Sequence, residues 1–254
     1  YLLVSRVFGF EVFPAHCFLF GALISPTDPI AVIAILSKYT IPQKLKTEIV
    51  GESLFNDGVG VVVFTVILLL VSGDGTNLSF SKVIGVFSLE VFGGLGIGFL
   101  TGYLGYLMMK SIDHYQTEIM ITLAIVTGGY SLASFIHSSG PLAMVVAGLL
   151  IGNKGKHAMS DVTEEYVSKF WEVVDEICNT ILFVLIGLEI FLVPYNPVYL
   201  LIGTILIFVA LAARYISLLP AFFLFNREQP RRHLNLAVLT WGGLRGGISI
   251  ALAL

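Results

Sequence analysis

Ser25-Pro26-Thr27-Asp28-Pro29 interrupts an apolar run spanning about residues 14–37. Pro29 lacks a backbone donor and disfavours helix at Asp28, so the run divides into two half-helices around an extended break that carries a carboxylate. Downstream, Gly51-Glu52-Ser53-Leu54-Phe55-Asn56-Asp57 sets two more carboxylates, a hydroxyl and an amide at the start of another apolar run. In a bilayer each such charge costs roughly 2.5 to 3.5 kcal/mol even on the lenient insertion scale, so an intramembrane ionisable residue reads first as a functional one.

The composition says that this is a bilayer. Charged residues make up 12% of the 254-residue chain and hydrophobic ones 56%, against about a quarter charged in an ordinary soluble domain. With a mean hydropathy of +0.91, the chain reads as an all-α polytopic membrane protein. The net charge of -3 says little, because the placement of Lys and Arg outweighs their sum. Nothing points to nucleic acid. Cys17 and Cys178 fall in apolar runs without metal-ligand spacing and are expected to be inert packing residues, not a disulfide or a zinc site. The chain opens on Tyr1 and ends in the hydrophobic Ala251-Leu252-Ala253-Leu254, which predicts a partial transmembrane domain, truncated at both ends.

About eight membrane segments are expected. After the broken first one they cover roughly residues 43–72, 81–110, 117–136, 141–151, 163–193 and 198–225. The eighth starts near His233 and meets a second break at Gly242-Gly243-Leu244-Arg245-Gly246-Gly247. Gly94, Gly98 and Gly102 give the third segment a small-residue face on which a neighbouring helix can approach closely. Lys38, Lys44 and Lys46 follow the first segment, Lys110 the third, Lys154 and Lys156 the fifth, and Arg227, Arg231 and Arg232 the seventh. Every second loop is therefore basic and predicted to be cytoplasmic. The fifth segment is short, about twelve residues rising only ~18 Å against a core of about 30 Å, yet it must cross to keep that alternation.

The two breaks lie in segments of opposite direction, as an inverted-repeat transporter requires, with binding at the midplane where half-helix ends meet. Counted from the cytoplasmic ends at 1.5 Å per residue, Asp28 lies at roughly 15 Å, Glu52 at roughly 13 Å, Asp57 at roughly 21 Å, Arg214 at roughly 16 Å and Arg245 at roughly 20 Å. Three acids and two arginines thus share one level. On the second segment Ser53 and Asp57 form one four-residue ladder, Glu52 and Asn56 another. Asp57 and Ser53 offer hard oxygen ligands suited to an alkali cation. Glu52 stays charged only if paired, and Arg214 is at matching depth. Arg245 is expected to compensate carbonyl dipoles at the second break; Asp28 does the mirror task at exposed N–H groups or joins the ion's ligands.

These motifs, with Ser139-Gly140, Ala212-Ala213-Arg214 and Gly242-Gly243-Leu244-Arg245-Gly246, resemble the first cation:proton antiporter family, of NhaP and sodium/proton exchanger type. The resemblance implies a cation at Asp57, with the Ser53 hydroxyl, the Thr27 main-chain carbonyl and Asp28 around it, and Glu52 paired with Arg214. It also implies two inverted six-helix repeats within thirteen helices, a homodimer, elevator-like alternating access and a place in a bacterial inner membrane.

The expected function is exchange of a monovalent cation (Na⁺, Li⁺ or K⁺) for H⁺, the two competing for Asp57, with Ser53, Asp28, Thr27 and Asn56 as further cation- or proton-binding candidates and no cofactor besides the transported ions. Asn56 in place of a second acid predicts an electroneutral cycle. Two rivals remain, a gated cation channel and a non-transporting cation or pH sensor of the same fold. An enzyme is not expected: Gly51-Glu52-Ser53-Leu54-Phe55 lacks the last glycine of a nucleophile elbow, and there is no His-Glu-x-x-His zinc motif.

Overall fold

The computed structural model describes residues 13–36, 42–72, 80–155, 158–191, 196–225, 232–243, 249 and 252–253. Among these residues the chain forms nine helices: α1 (Pro14–Leu23), α2 (Pro29–Leu36), α3 (Gln43–Ser72), α4 (Phe80–Lys110), α5 (Tyr115–Phe135), α6 (Gly140–Lys154), α7 (Asp161–Ile190), α8 (Pro197–Phe225) and α9 (Arg232–Trp241). The expected segments are all present. The first is the pair α1 and α2; the fifth, α6, is three residues longer than expected at its C-terminal end. Residues 244–247 of the second break, with Arg245, lie outside the described residues, as do Lys38, Lys156, Arg227 and Arg231.

Among the described residues four helices, spanning Gln43–Val71, Ser81–Lys110, Tyr115–Phe135 and Pro197–Pro220, are long and apolar enough to cross a membrane. Their outer faces keep large apolar side chains uncovered, such as Phe92 at 71% and Phe208 at 68% exposure, which in water would be an aggregation liability and in lipid is the preferred surface.

The chain divides into two compact units, Tyr1–Asp57 with Ile186–Leu254, and Gly58–Leu185. In the first, Val32 of α2, Leu45 and Ile49 of α3 and Leu239 of α9 form a buried apolar cluster, and α9 packs on α8. The break between α1 and α2 follows from its residues. The last turn of α1 closes with the Ile24 amide on the Phe20 carbonyl and the Ser25 amide on the Ala22 carbonyl. Residues 25–28 are non-helical, and Pro29, which needs no N–H partner, opens α2.

In the second unit α4 packs along α6, and α5 packs on both. The glycines of α4 are the reason. A Cβ at Gly94 would stand 2.8 Å from the Ser139 carbonyl oxygen and one at Gly102 2.8 Å from the Ala147 Cα, while at Gly98 it would meet the Ala143 backbone directly. Opposite them α6 presents Ala143 and Ala147, so backbone meets backbone, the close approach that small residues allow in membranes. The turn into α6 is bonded to α4, with the Ser139 amide donating to the Glu90 carbonyl at 3.2 Å and the Ser139 hydroxyl accepting from the Leu142 amide at 3.3 Å. Gly98→Leu is therefore expected to force the two helices apart and destabilise the protein by about 3 kcal/mol. Gly96→Leu, whose Cβ meets nothing within 4 Å, should be neutral. Thermal unfolding in detergent checks the pair; equal midpoints would contradict the packing.

Cys178 corrects the sequence expectation. Both cysteines are free, but Cys178 is exposed instead of packed and Cys17 is only half-buried; the exposure of Cys178 is shared by its α7 neighbours Ile177 and Ile181. Glu48, at the start of α3, forms a helical ion pair with Lys44 at 3.9 Å.

Candidate functional site

The first unit brings together most of the residues singled out from the sequence. Helical spacing on α3 places Ser53 and Asp57 on one face, and that face lies against the break between α1 and α2. Ser53, 2% exposed, donates its hydroxyl to the main-chain carbonyl of Thr27, which is 5% exposed. That carbonyl is available because residues 25–28 are not helical and no N–H four residues on reaches it. Asp57 lies against the Thr27 backbone and within electrostatic range of Asp28. Its Oδ1 is buried and accepts no hydrogen bond from the described residues, whereas buried acceptors are ordinarily satisfied.

The second ladder faces a different partner. Arg214 of α8 grips Glu52 with both terminal nitrogens, Nη1 to Oε1 at 2.9 Å and Nη2 to Oε2 at 3.1 Å, the two-pronged geometry that makes arginine–carboxylate pairs strong. The pair is well shielded, with side-chain exposures of 10% for Arg214 and 26% for Glu52. Asn56 donates its amide to Glu52 Oε1 at 3.3 Å. Asn56, counted from the sequence among the cation- or proton-binding candidates, is thus set on the fixed charge pair instead. The oxygens that could receive a monovalent cation are those of Asp57, Asp28, Ser53 and the Thr27 carbonyl.

Arg214 does one thing the sequence did not suggest. Its Nε donates to the Leu239 carbonyl at 3.0 Å, in the last turn of α9, just before the second break. Charge compensation at that break had been expected of Arg245 alone. A partner for a helix-end carbonyl on another helix leaves no local motif, so nothing in the sequence could have shown it. A further link joins the two breaks: the Ser249 hydroxyl donates to the Pro26 carbonyl at 3.5 Å, the long end of hydrogen bonding. The sequence also passed over Glu118 of α5, in the second unit. It is fully buried, and neither carboxylate oxygen has a partner among the described residues.

Comparison with known proteins gives the site its setting. Residues 1–254 match the sodium/hydrogen exchanger transmembrane family. The Na(+)/H(+) antiporter NhaP of Pseudomonas aeruginosa is 49% identical over 98% of this chain. NhaH of Halobacillus dabanensis, also a Na(+)/H(+) antiporter, is 34% identical over 94% of the chain. The chain spans 59% of the length of each of these relatives. Among solved structures, the sodium proton antiporter MjNhaP1 of Methanocaldococcus jannaschii matches 98% of this chain and 61% of its own with a TM-score of 0.75 at 22% identity, a likeness of fold. That fold is an all-helical membrane fold, and the family is one of transporters, not enzymes. With the whole of its length matched, the chain belongs to the sodium/hydrogen exchanger family.

Proposed function

We propose that the protein of which this chain is part exchanges Na⁺, or another monovalent cation, for H⁺ across the membrane, electroneutrally and by alternating access. The observation that carries this reading is the unpartnered, buried Oδ1 of Asp57 beside the Thr27 carbonyl and Ser53 hydroxyl. A buried carboxylate oxygen without a donor is satisfied by a proton or by a cation, and the neighbouring oxygens complete a shell for the second. Asp57, Asp28, Ser53 and Thr27 are assigned to the cation. Glu52, Asn56 and Arg214 form the fixed framework, with Arg245 assigned to the second break.

Electroneutrality follows from that division. Glu52 is held by Arg214 and Asn56 is an amide, so Asp57 is left as the exchanging carboxylate and one charge replaces one. The names of the relatives, Na(+)/H(+) antiporters, support Na⁺ as substrate; a bacterial inner membrane is the place that this reading gives the protein. A homodimer and regulation by pH belong to the same reading.

The test is a Na⁺ gradient imposed on proteoliposomes of the full-length protein, with internal pH followed by a dye. Proton movement against the Na⁺ gradient is expected, and its rate should not change when valinomycin and K⁺ clamp the membrane potential. A rate that follows the imposed voltage would overturn electroneutrality. Single-channel currents would replace the exchanger by a channel, and bound Na⁺ without flux would replace it by a sensor.

A further inference from the structure

We infer that Gly243 is a positioning residue: the side chain it lacks is the space in which the Arg214 guanidinium lies, and that space lets one arginine hold the Glu52 carboxylate and the Leu239 carbonyl together. A Cβ built on Gly243 would fall on Arg214 Cδ, Nε and Cζ, the three atoms that carry the guanidinium to its partners. Gly243 is buried, so the displaced arginine has no solvent to swing into from that side.

The end of α9 explains why the arginine is needed there. The Gly242 amide bonds back to the Val238 carbonyl at 2.7 Å, and the Gly243 amide bonds to Thr240 at 3.3 Å. The step from a four-residue to a three-residue bond skips the carbonyl of Leu239. It is this skipped acceptor that Arg214 Nε reaches at 3.0 Å. Three of the five guanidinium N–H donors are thereby directed to two helices, one to the helix end and two to Glu52. The negative end of the half-helix and the Glu52 carboxylate share one cation. Any side chain at position 243 requires the Arg214 side chain to shift from the position in which it makes these contacts.

The consequence for transport rests on the exchange reading above. With Arg214 pushed aside, Glu52 becomes a second free acid beside Asp57 and competes for the ion. Gly243→Ala in the full-length protein is expected to raise the apparent KM for Na⁺ about tenfold, the worth of one charge-assisted hydrogen bond, with a smaller change in maximal rate. It should also lower the unfolding midpoint in detergent by about 5 °C.

The same substitution is then made in an Arg214→Ala background, where all three atoms that the new methyl would strike are gone. There Gly243→Ala should cost less than about a third of either effect, since additivity fails for residues that share a contact. Equal losses in both backgrounds, or none in either, overturn the inference. If Gly243→Ala does not accumulate in the membrane, accumulation of the double variant at the level of the Arg214→Ala single variant supports the inference, and a further fall below that level overturns it. The unfolding measurement stands without any transport, so an absence of Na⁺/H⁺ exchange would sink the functional reading while leaving the Gly243 result to be judged on stability.

Discussion

Asp57→Asn in the full-length protein is expected to abolish cation-driven proton movement while leaving the fold intact. Asparagine matches aspartate in shape, and its neutral amide removes the charge that balances a bound cation. One unit charge at about 4 Å is worth about 4 kcal/mol at the effective dielectric of a partly buried site, or about a thousandfold in cation affinity. Stability should not fall, because the substitution removes a buried carboxylate whose Oδ1 has no partner among the described residues. Proton flux in proteoliposomes and unfolding midpoints in detergent, measured on one preparation, check both halves. Persistent Na⁺-driven flux in the variant would remove Asp57 from the centre of the mechanism.

The second large effect is expected at the charge pair. Arg214→Gln leaves Glu52 poorly solvated without its cation and removes the Nε donor from the Leu239 carbonyl. Breaking one side of a buried pair costs about 3–5 kcal/mol, and because Glu52 keeps 26% exposure the lower figure of about 3 kcal/mol applies. Adding Glu52→Gln should recover more than half of that loss, since a neutral amide pair no longer buries a charge alone. Thermal unfolding of the two single variants and the double variant closes the cycle. A double variant less stable than either single one would show that the pair is not the unit that matters.

Much of this was legible in the residues themselves. Helices in lipid must satisfy their backbones internally, so apolar runs and prolines announce their limits; α3, from Gln43 to Ser72, was read with both ends in place. The break at residues 25–28 was legible because Pro29 can neither donate a hydrogen bond nor allow helix before it. The two ladders on α3 were legible because helical periodicity is local, and the meeting of Glu52 with Arg214 because charges in lipid must find one another at equal depth. Cys178 was misread because hydrophobic sequence does not distinguish a packed face from an outward one in a membrane.

The sequence by itself determined an all-helical membrane fold, the positions of its breaks and the set of charged residues at mid-depth, because each follows from short-range rules of helix geometry and from the cost of charge in hydrocarbon. Only the tertiary structure decided what those residues touch. The Thr27 carbonyl meets Ser53, Asn56 turns to Glu52, and Arg214 reaches the end of α9 through space left open by Gly243. Such contacts depend on how distant helices approach one another, and a difference of one methyl group at Gly243 is enough to forbid the one between Arg214 and Leu239.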